Sequence, residues 1–265
     1  MLKNITLGQY YPADSVVHRL DPRAKIVIAL AYIVLVFFVS NYWGYLFLTA
    51  ALLGASYLAK VPVKYLLRTL KPLRFILIFT FVLNIFFTRT GTPIYLWRDF
   101  YLFTNEGVHR ALFMALRMGF LVAGSSMLML VTSPITLTDG LERLMSPLRV
   151  IKFPAHELAM MMSIALRFIP TLTDEADKIM KAQMARGADF ESGKLLQRAK
   201  AMIPLLVPLF VSAFRRADEL AMAMESRCYH GGEGRTRMRV LKLGRNDLIA
   251  LAAMAALFAV TVLWG

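Results

Sequence analysis

The chain contains one cysteine, Cys228, and four scattered histidines among its 265 residues. A single thiol cannot form an internal disulfide or supply a multi-cysteine metal site. The histidines, at positions 18, 109, 156 and 230, lack the paired spacing of metal ligands. Cys228 is therefore interpreted as a small side chain, with a redox or metal role as the alternative. The sequence predicts no metal site.

No nucleotide-binding or catalytic motif is complete. Residues 187–195 resemble a phosphate-binding loop, but five residues instead of four separate its glycines, and Leu195 follows the lysine. The motifs His-Glu-x-x-His and Gly-x-Ser-x-Gly are absent. Acidic residues are nearly absent from the apolar stretches, which argues against a proton-coupled or sodium-coupled carrier acting alone. The sequence thus shows no energy source of its own.

Charged residues are missing from long parts of the chain. Residues 26–59 contain no Asp, Glu, Lys or Arg, and the mean hydropathy is +0.56. This run is too long for one membrane span, so the turn at 41–44 divides it into two. Asp21-Pro22 predicts the start of the first helix, because proline fits early helical positions. In all, the sequence predicts five spans, at about 25–40, 45–59, 73–88, 107–131 and 248–264.

The predicted fourth span carries two unusual features. Small residues recur every four positions (Ala111, Ala115, Gly119, Ala123), which predicts close approach of another helix. Arg117 lies in the same span, and we expect it to reach the interface or to pair with a polar group.

Basic residues exceed acidic ones, at 31 against 17. In a membrane protein this excess marks cytoplasmic loops and contact with anionic lipid. The basic connector at 60–74 and the charged region 133–245 are therefore predicted to be cytoplasmic, together with the amino terminus. Trp43, Trp97 and Trp264 then lie on the outer side, as an aromatic belt would. The charges are dispersed without interleaved aromatic residues, so we predict no nucleic-acid binding.

Two long charged helices are predicted within 133–245. In each, a proline-broken apolar stretch leads into a charged segment that ends in an arginine between two small residues. These endings are Ala185-Arg186-Gly187 and Ser226-Arg227-Cys228. An arginine in such a position can reach acceptors on a partner bidentately. The alternative is that the two amphipathic helices simply pack on each other with their charges in water.

These residues resemble a known family, the transmembrane T component of energy-coupling factor (ECF) importers of vitamins and metals. Members carry two Ala-Arg-Gly-like motifs at the ends of cytoplasmic coupling helices. The first motif here matches fully, and the second departs at both flanks. Leu20-Asp21-Pro22-Arg23, Glu225-x-Arg227-x-Tyr229 and Arg235-Thr236-Arg237 are also similar.

The expected fold is an all-α polytopic membrane protein with about five transmembrane helices plus long cytoplasmic or interfacial coupling helices. Residues 1–132 would hold four spans, 133–245 the coupling module and 246–265 the last span. The resemblance implies a non-catalytic scaffold in the plasma membrane of a prokaryote. Its partners would be the lipid bilayer, two ABC ATPase subunits that bind the ATP and magnesium, and a small membrane S component that binds the substrate. The chain itself would bind no cofactor.

The resemblance assigns ATPase docking to Ala185, Arg186, Gly187, Ser226, Arg227 and Cys228. Fourteen of the sixteen methionines lie between Met114 and Met238, and methionine suits surfaces that exchange partners. We therefore predict an S-component contact surface that includes Met160, Met161, Met162, Met202, Leu205 and Leu206, with ordinary helix packing as the alternative. A stand-alone secondary transporter and a membrane-bound enzyme are the rival functions. The sequence does not identify the substrate.

Overall fold

The computed structural model describes residues 10–87, 93–97, 100–190, 195–232 and 241–264. They form mostly α-helices, with one short antiparallel strand pair and one 3₁₀ helix at Ser146–Ile151. The α-helices are α1 (Pro22–Phe38), α2 (Tyr42–Leu58), α3 (Val63–Leu70), α4 (Arg74–Phe87), α5 (Asn105–Val131), α6 (Pro134–Met145), α7 (Ala155–Ala185), α8 (Leu195–Glu225) and α9 (Arg245–Trp264). Two compact units result: a larger unit of Gly8–Leu141 with Leu241–Gly265, and an arm unit that contains Glu142–Val240.

In the larger unit, α1 packs against α5 and α9, and α3 and α4 pack against α5. Its main core joins side chains of α1, α2 and α9, among them Leu35, Val36, Leu48 and Met254. These helices are apolar over most of their surface, as expected where a helix contacts lipid on one side and protein on the other. The all-α membrane fold that the sequence predicts is confirmed.

Two or three helical segments of the described residues have the length and hydropathy of a membrane span. Among the described residues, α5 and α9 are long and apolar enough to cross a membrane, and α3 with α4 adds a third span if this pair, bent by 62°, counts as one. The first two predicted spans coincide with α1 and α2, which have 17 residues each. That length, about 25 Å, is at the lower limit for a span. The count of five stays a prediction.

A short antiparallel strand pair lies between α4 and α5. Strand β1 (Pro93–Trp97) pairs antiparallel with β2 (Phe100–Thr104), and Pro93 lies opposite Thr104. Both strands consist mainly of aromatic and branched residues, which favour strands.

A polar cluster at the start of α1 fastens it to the start of α9. The Asp21 side chain caps α1 by accepting a hydrogen bond from the Arg23 backbone N–H at 2.9 Å, with Pro22 at the first helical position. The Asp21 N–H donates in turn to Asp247 Oδ1 at 2.7 Å, and Gly244 N–H donates to Asp247 Oδ2 at 2.7 Å. Both carboxylates are buried. The helix start predicted at Asp21-Pro22 is confirmed.

The Asp21 carboxylate is held in its ionised form. Its burial alone would raise the pKa, but side-chain and backbone hydrogen bonds from Arg23 and the charge of Arg23 outweigh this, so the pKa lies below its usual value. Arg23 also donates to the Leu241 carbonyl at 3.2 Å. One arginine therefore contacts both the α1 cap and the segment that precedes α9.

The predicted small-residue repeat of α5 is buried at Ala111 but open at Gly119. A Cβ built on Gly119 would meet nothing within 4 Å, whereas one on Gly124 would lie 1.9 Å from the Tyr32 ring. The tight contact with α1 therefore forms at Gly124, outside the four-residue repeat. Arg117 donates to the Val39 carbonyl at 3.1 Å and lies over the Phe113 ring. The expectation that Arg117 pairs with a polar group is confirmed.

The arm unit contains α7 and α8, which contact each other and have 31 residues each. Pro170 lies inside α7, and Pro204 and Pro208 lie inside α8. The sequence predicts that these prolines break the helices, and this is wrong. A proline inside a helix removes one backbone hydrogen bond and bends the axis, and here the flanking helical turns continue on both sides.

Candidate functional site

The first arginine motif ends α7 in a defined cap. Arg186 is the C-cap residue, and Gly187 adopts the left-handed conformation with φ of +90°. The Gly187 N–H donates to the Met184 carbonyl and the Ala188 N–H to the Gln183 carbonyl, both at 3.0 Å. This pair of bonds is the Schellman motif, which satisfies the last carbonyls of a helix. Glycine is the natural residue here, because it enters the left-handed region without a Cβ clash.

The second motif ends α8 in the same way. Cys228 adopts the left-handed conformation with φ of +54°. Its N–H donates to the Glu225 carbonyl at 2.9 Å, and the Tyr229 N–H donates to the Met224 carbonyl at 3.0 Å. Arg227 therefore occupies the same C-cap position as Arg186, and Cys228 corresponds to Gly187. The departure from Ala-Arg-Gly in the sequence leaves the geometry of the helix end unchanged.

Arg186 and Arg227, at the ends of α7 and α8, are available to bind a partner. All six motif residues are exposed. In the described part of the chain, neither the Arg186 nor the Arg227 guanidinium forms a hydrogen bond or an ion pair. Each offers five N–H donors in a planar fork that matches a carboxylate, and a cation is favourable at a helix carboxyl end. The arrangement suits docking into an acidic groove.

Substitutions at Cys228 and Gly187, the left-handed positions of the two motifs, are expected to change the stability of the two helix ends in opposite directions. Cys228→Gly removes a Cβ clash of about 1 kcal/mol, and Gly187→Ala introduces one. Amide hydrogen exchange should therefore slow about fivefold at Tyr229 in the first variant and accelerate about fivefold at Ala188 in the second. Unchanged exchange at both amides would contradict the cap assignment.

A polar cluster joins the two long helices between these ends. Arg216 of α8 donates to Glu175 Oε2 of α7 at 2.9 Å, and the Ser212 hydroxyl donates to Glu175 Oε1 at 2.5 Å. The Ser212 hydrogen bond lowers the pKa of Glu175; partial burial opposes this and the Arg216 guanidinium reinforces it. Glu175 is therefore a carboxylate at neutral pH. Sequence patterns do not indicate this cluster, because 41 positions separate Glu175 from Arg216.

The predicted S-component surface is only partly exposed. Met161, Met162, Met202 and Leu206 are exposed, and Met160 is half-buried. Leu205 is only 7% exposed, and the contact surface as a whole stays a prediction. Leu205 lies seven residues before Ser212, on the side of α8 that faces α7. The opposite side forms the apolar face of α8, which consists of Ile203, Leu206, Val207, Phe210 and Phe214.

A further polar contact lies at the start of α7. His156 Nδ1 and Glu142 Oε1 are 2.9 Å apart. A Cβ built on Gly232 would lie 2.5 Å from the His156 ring, so the chain that leaves the second motif runs against the first turn of α7. Sequence spacing offered no signal for this contact. Among the described residues, no group of histidine, cysteine and acidic side chains is arranged to hold a metal ion.

Comparison with known proteins identifies the family. The profile of the family described as CbiQ, cobalt transport protein, matches residues 13–238. The chain is also similar to proteins named energy-coupling factor transporter transmembrane protein EcfT. It belongs to this family of energy-coupling factor transmembrane proteins. The resemblance inferred from the paired arginine motifs is thereby confirmed.

The relatives match over nearly the whole chain. The similar protein of Clostridium kluyveri is 54% identical and that of Thermosediminibacter oceani 55% identical. These alignments cover 100% of both chains in the first case, and 97% of this chain and 96% of the relative in the second. The Bacillus subtilis relative is 48% identical over 97% of this chain and 98% of its own length. The chain is thus a transmembrane component of a transporter, a role that is not enzymatic.

Proposed function

We propose that the chain is the coupling subunit of an ATP-driven importer of vitamins or transition metals. Two cytoplasmic ABC ATPases, which bind ATP and magnesium, dock on Arg186 and Arg227. A small membrane S component binds the substrate and contacts the exposed apolar residues of α7 and α8. The chain transmits the motion of the ATPases to the S component, and it contains neither a catalytic site nor a cofactor site of its own.

One observation carries this proposal. The two arginines occupy the same C-cap position in two helix ends of the same hydrogen-bonding pattern, both are exposed, and neither has a partner among the described residues. If the two helices only packed on each other, their packing would not require two equivalent guanidinium groups that lack partners. A pair of similar subunits, each with one acidic groove, would use both.

Purification from gently solubilised native membranes tests the composition of the complex. We expect two ABC ATPases and one small hydrophobic chain to accompany this protein in fixed ratio. In vesicles, the same complex is expected to take up substrate only when ATP is present on the side of the membrane that carries the ATPases. A protein that purifies alone and transports alone would establish the stand-alone carrier instead.

The proposed orientation places the amino terminus and the arm unit in the cytoplasm. Lys181 on α7 and Trp43 at the start of α2 are both exposed, and charge distribution places them on opposite sides of the membrane. In a Cys228→Ser background, a membrane-impermeant thiol reagent added to intact cells is expected to label Trp43→Cys and to leave Lys181→Cys unlabelled until the cells are opened. Labelling of Lys181→Cys in intact cells would overturn this orientation.

A further inference from the structure

The short helix α3 has three chemically different sides. Lys64, Arg68 and Lys71 follow one another at intervals of four and three residues, so they share one side of the helix. Lys71 is the C-cap residue and keeps helical dihedral angles, with φ of −56° and ψ of −48°. All three side chains are exposed. This cationic side of α3 is called the basic face below.

The side of α3 opposite the basic face packs on protein. Leu66 is only 6% exposed and belongs to a core cluster that includes Met127 and Leu130 of α5. The hydroxyl oxygens of Thr69 and Ser126, which also belong to α3 and α5, are 3.2 Å apart. These contacts determine how α3 is turned about its axis, and they leave the basic face on the outside.

The third side of α3 is apolar and uncovered. Val63 and Leu67 lie between the basic face and the packed side, and they are 41% and 60% exposed. Exposure of such side chains to water is unfavourable. At the boundary of a membrane, however, they can enter the hydrocarbon while neighbouring lysine and arginine side chains extend to the headgroups.

The cations around α3 lack counter-ions. The sequence contains no aspartate or glutamate between Asp21 and Asp99. Lys60 and Arg74, on either side of α3, are exposed as well. None of the five basic side chains of residues 60–74 pairs with another residue in the described part of the chain. This surface therefore attracts anions.

The bend between α3 and α4 coincides with a change of composition. The two helices meet at 62°. Arg74 is the first residue of α4, and no other charged residue occurs in that helix. A charged side chain is costly in the hydrocarbon of a membrane. The change of direction therefore separates a helix suited to the membrane surface from one suited to the membrane interior.

We propose that α3 lies in the membrane interface and that its basic face binds the phosphate groups of anionic phospholipids. Val63 and Leu67 reach between the acyl chains beside the bound headgroups. A soluble acidic partner would match the charges but not the uncovered apolar side next to them. The basic face belongs to the larger unit and contains neither arginine motif, so lipid binding can be measured without the ATPases.

Native mass spectrometry of the purified chain tests lipid binding. Phosphatidylglycerol or phosphatidylcholine is added to the protein in detergent, and we expect phosphatidylglycerol to bind more tightly. A cation near an anionic lipid surface contributes about fivefold to affinity. The combined variant Lys64→Gln, Arg68→Gln, Lys71→Gln should therefore bind phosphatidylglycerol about 100-fold more weakly, with its binding of phosphatidylcholine unchanged.

A matched control removes three cations from α7 and α8. Lys178, Lys181 and Arg215 are exposed, and their combined replacement by glutamine is expected to change phosphatidylglycerol binding by less than about twofold. Equal losses in the two combined variants would overturn the proposal, as would equal affinity of the original chain for both lipids. Displacement of phosphatidylglycerol by inorganic phosphate would also overturn it, because the site would then bind a soluble anion.

Spin labels measure the position of α3 while most of the basic face is intact. In a Cys228→Ser background, a label is attached at Leu67→Cys or at Lys64→Cys, and the chain is placed in phosphatidylglycerol vesicles. Oxygen, which concentrates in hydrocarbon, is expected to collide more often with the label at position 67, and a water-soluble nickel complex more often with the label at position 64. Frequent nickel collisions at both positions would place α3 in water, and frequent oxygen collisions at both would place it across the membrane. Either result contradicts the proposal.

Discussion

Arg186→Glu or Arg227→Glu is expected to abolish ATP-driven uptake while the protein still inserts into the membrane. Each arginine projects from a helix end, and no described residue pairs with its guanidinium, so its replacement is expected to leave the fold intact. In the proposed complex, the new glutamate would face the acidic residues of the ATPase groove and be repelled by them. Loss of a buried charge pair costs about 2–5 kcal/mol, or at least thirtyfold in affinity. Co-purification of the ATPases and uptake in vesicles measure the two effects.

Lys181→Glu serves as the control for Arg186→Glu, because it reverses an exposed charge on the same helix five residues earlier. It is expected to retain both ATPase binding and uptake. Arg186→Lys keeps the charge but loses the planar fork, so an intermediate loss is expected. Full uptake by the chain that carries both reversals would rule out the docking role of the arginines.

Asp247→Ala is expected to cause the largest loss of stability in the larger unit. The carboxylate accepts from two backbone N–H groups, those of Asp21 and Gly244, each at 2.7 Å. Its removal leaves the Asp21 N–H without an acceptor at a buried position, at a cost of about 1–3 kcal/mol, whereas the N–H of the exposed Gly244 can turn to water. Thermal unfolding in detergent should show a midpoint lowered by several degrees, together with a reduced yield of folded protein.

Asp14→Ala is the matched control, since it removes an aspartate from the exposed ion pair with Arg19. Exposed ion pairs contribute little to stability, so this variant is expected to unfold at nearly the original temperature. If both variants unfold together at the original temperature, the cluster around Asp247 does not hold α1 to α9.

The features that could be predicted from the sequence are those that local chemistry determines. The uncharged run at 26–59 corresponds to α1 and α2, and Asp21-Pro22 starts α1. The two arginine motifs were recognised because a small residue on either side of a terminal arginine is a local pattern. The same reasoning did not show that Cys228 adopts the conformation of Gly187, because cysteine has no preference for the left-handed region.

The features that could not be predicted depend on contacts between distant residues. Glu175 and Arg216 belong to different helices, and their charges resemble any solvated face when each helix is viewed alone. Gly124 lies outside the small-residue repeat, and only the position of the Tyr32 ring shows its importance. The prolines of α7 and α8 also belong here. Proline usually ends a helix, but in these two helices the turns before and after each proline remain helical.

The link between Asp21 and Asp247 has a consequence for biogenesis. The two residues are separated by 226 positions, so nearly the whole chain is synthesised before the Asp21 N–H can meet its acceptor. During synthesis, α1 therefore enters the bilayer long before the bond that joins its start to α9 can form. Nascent chains that stop short of α9 leave the Asp21 N–H without this acceptor, so their first helix lacks its bond to the segment that would hold it in place.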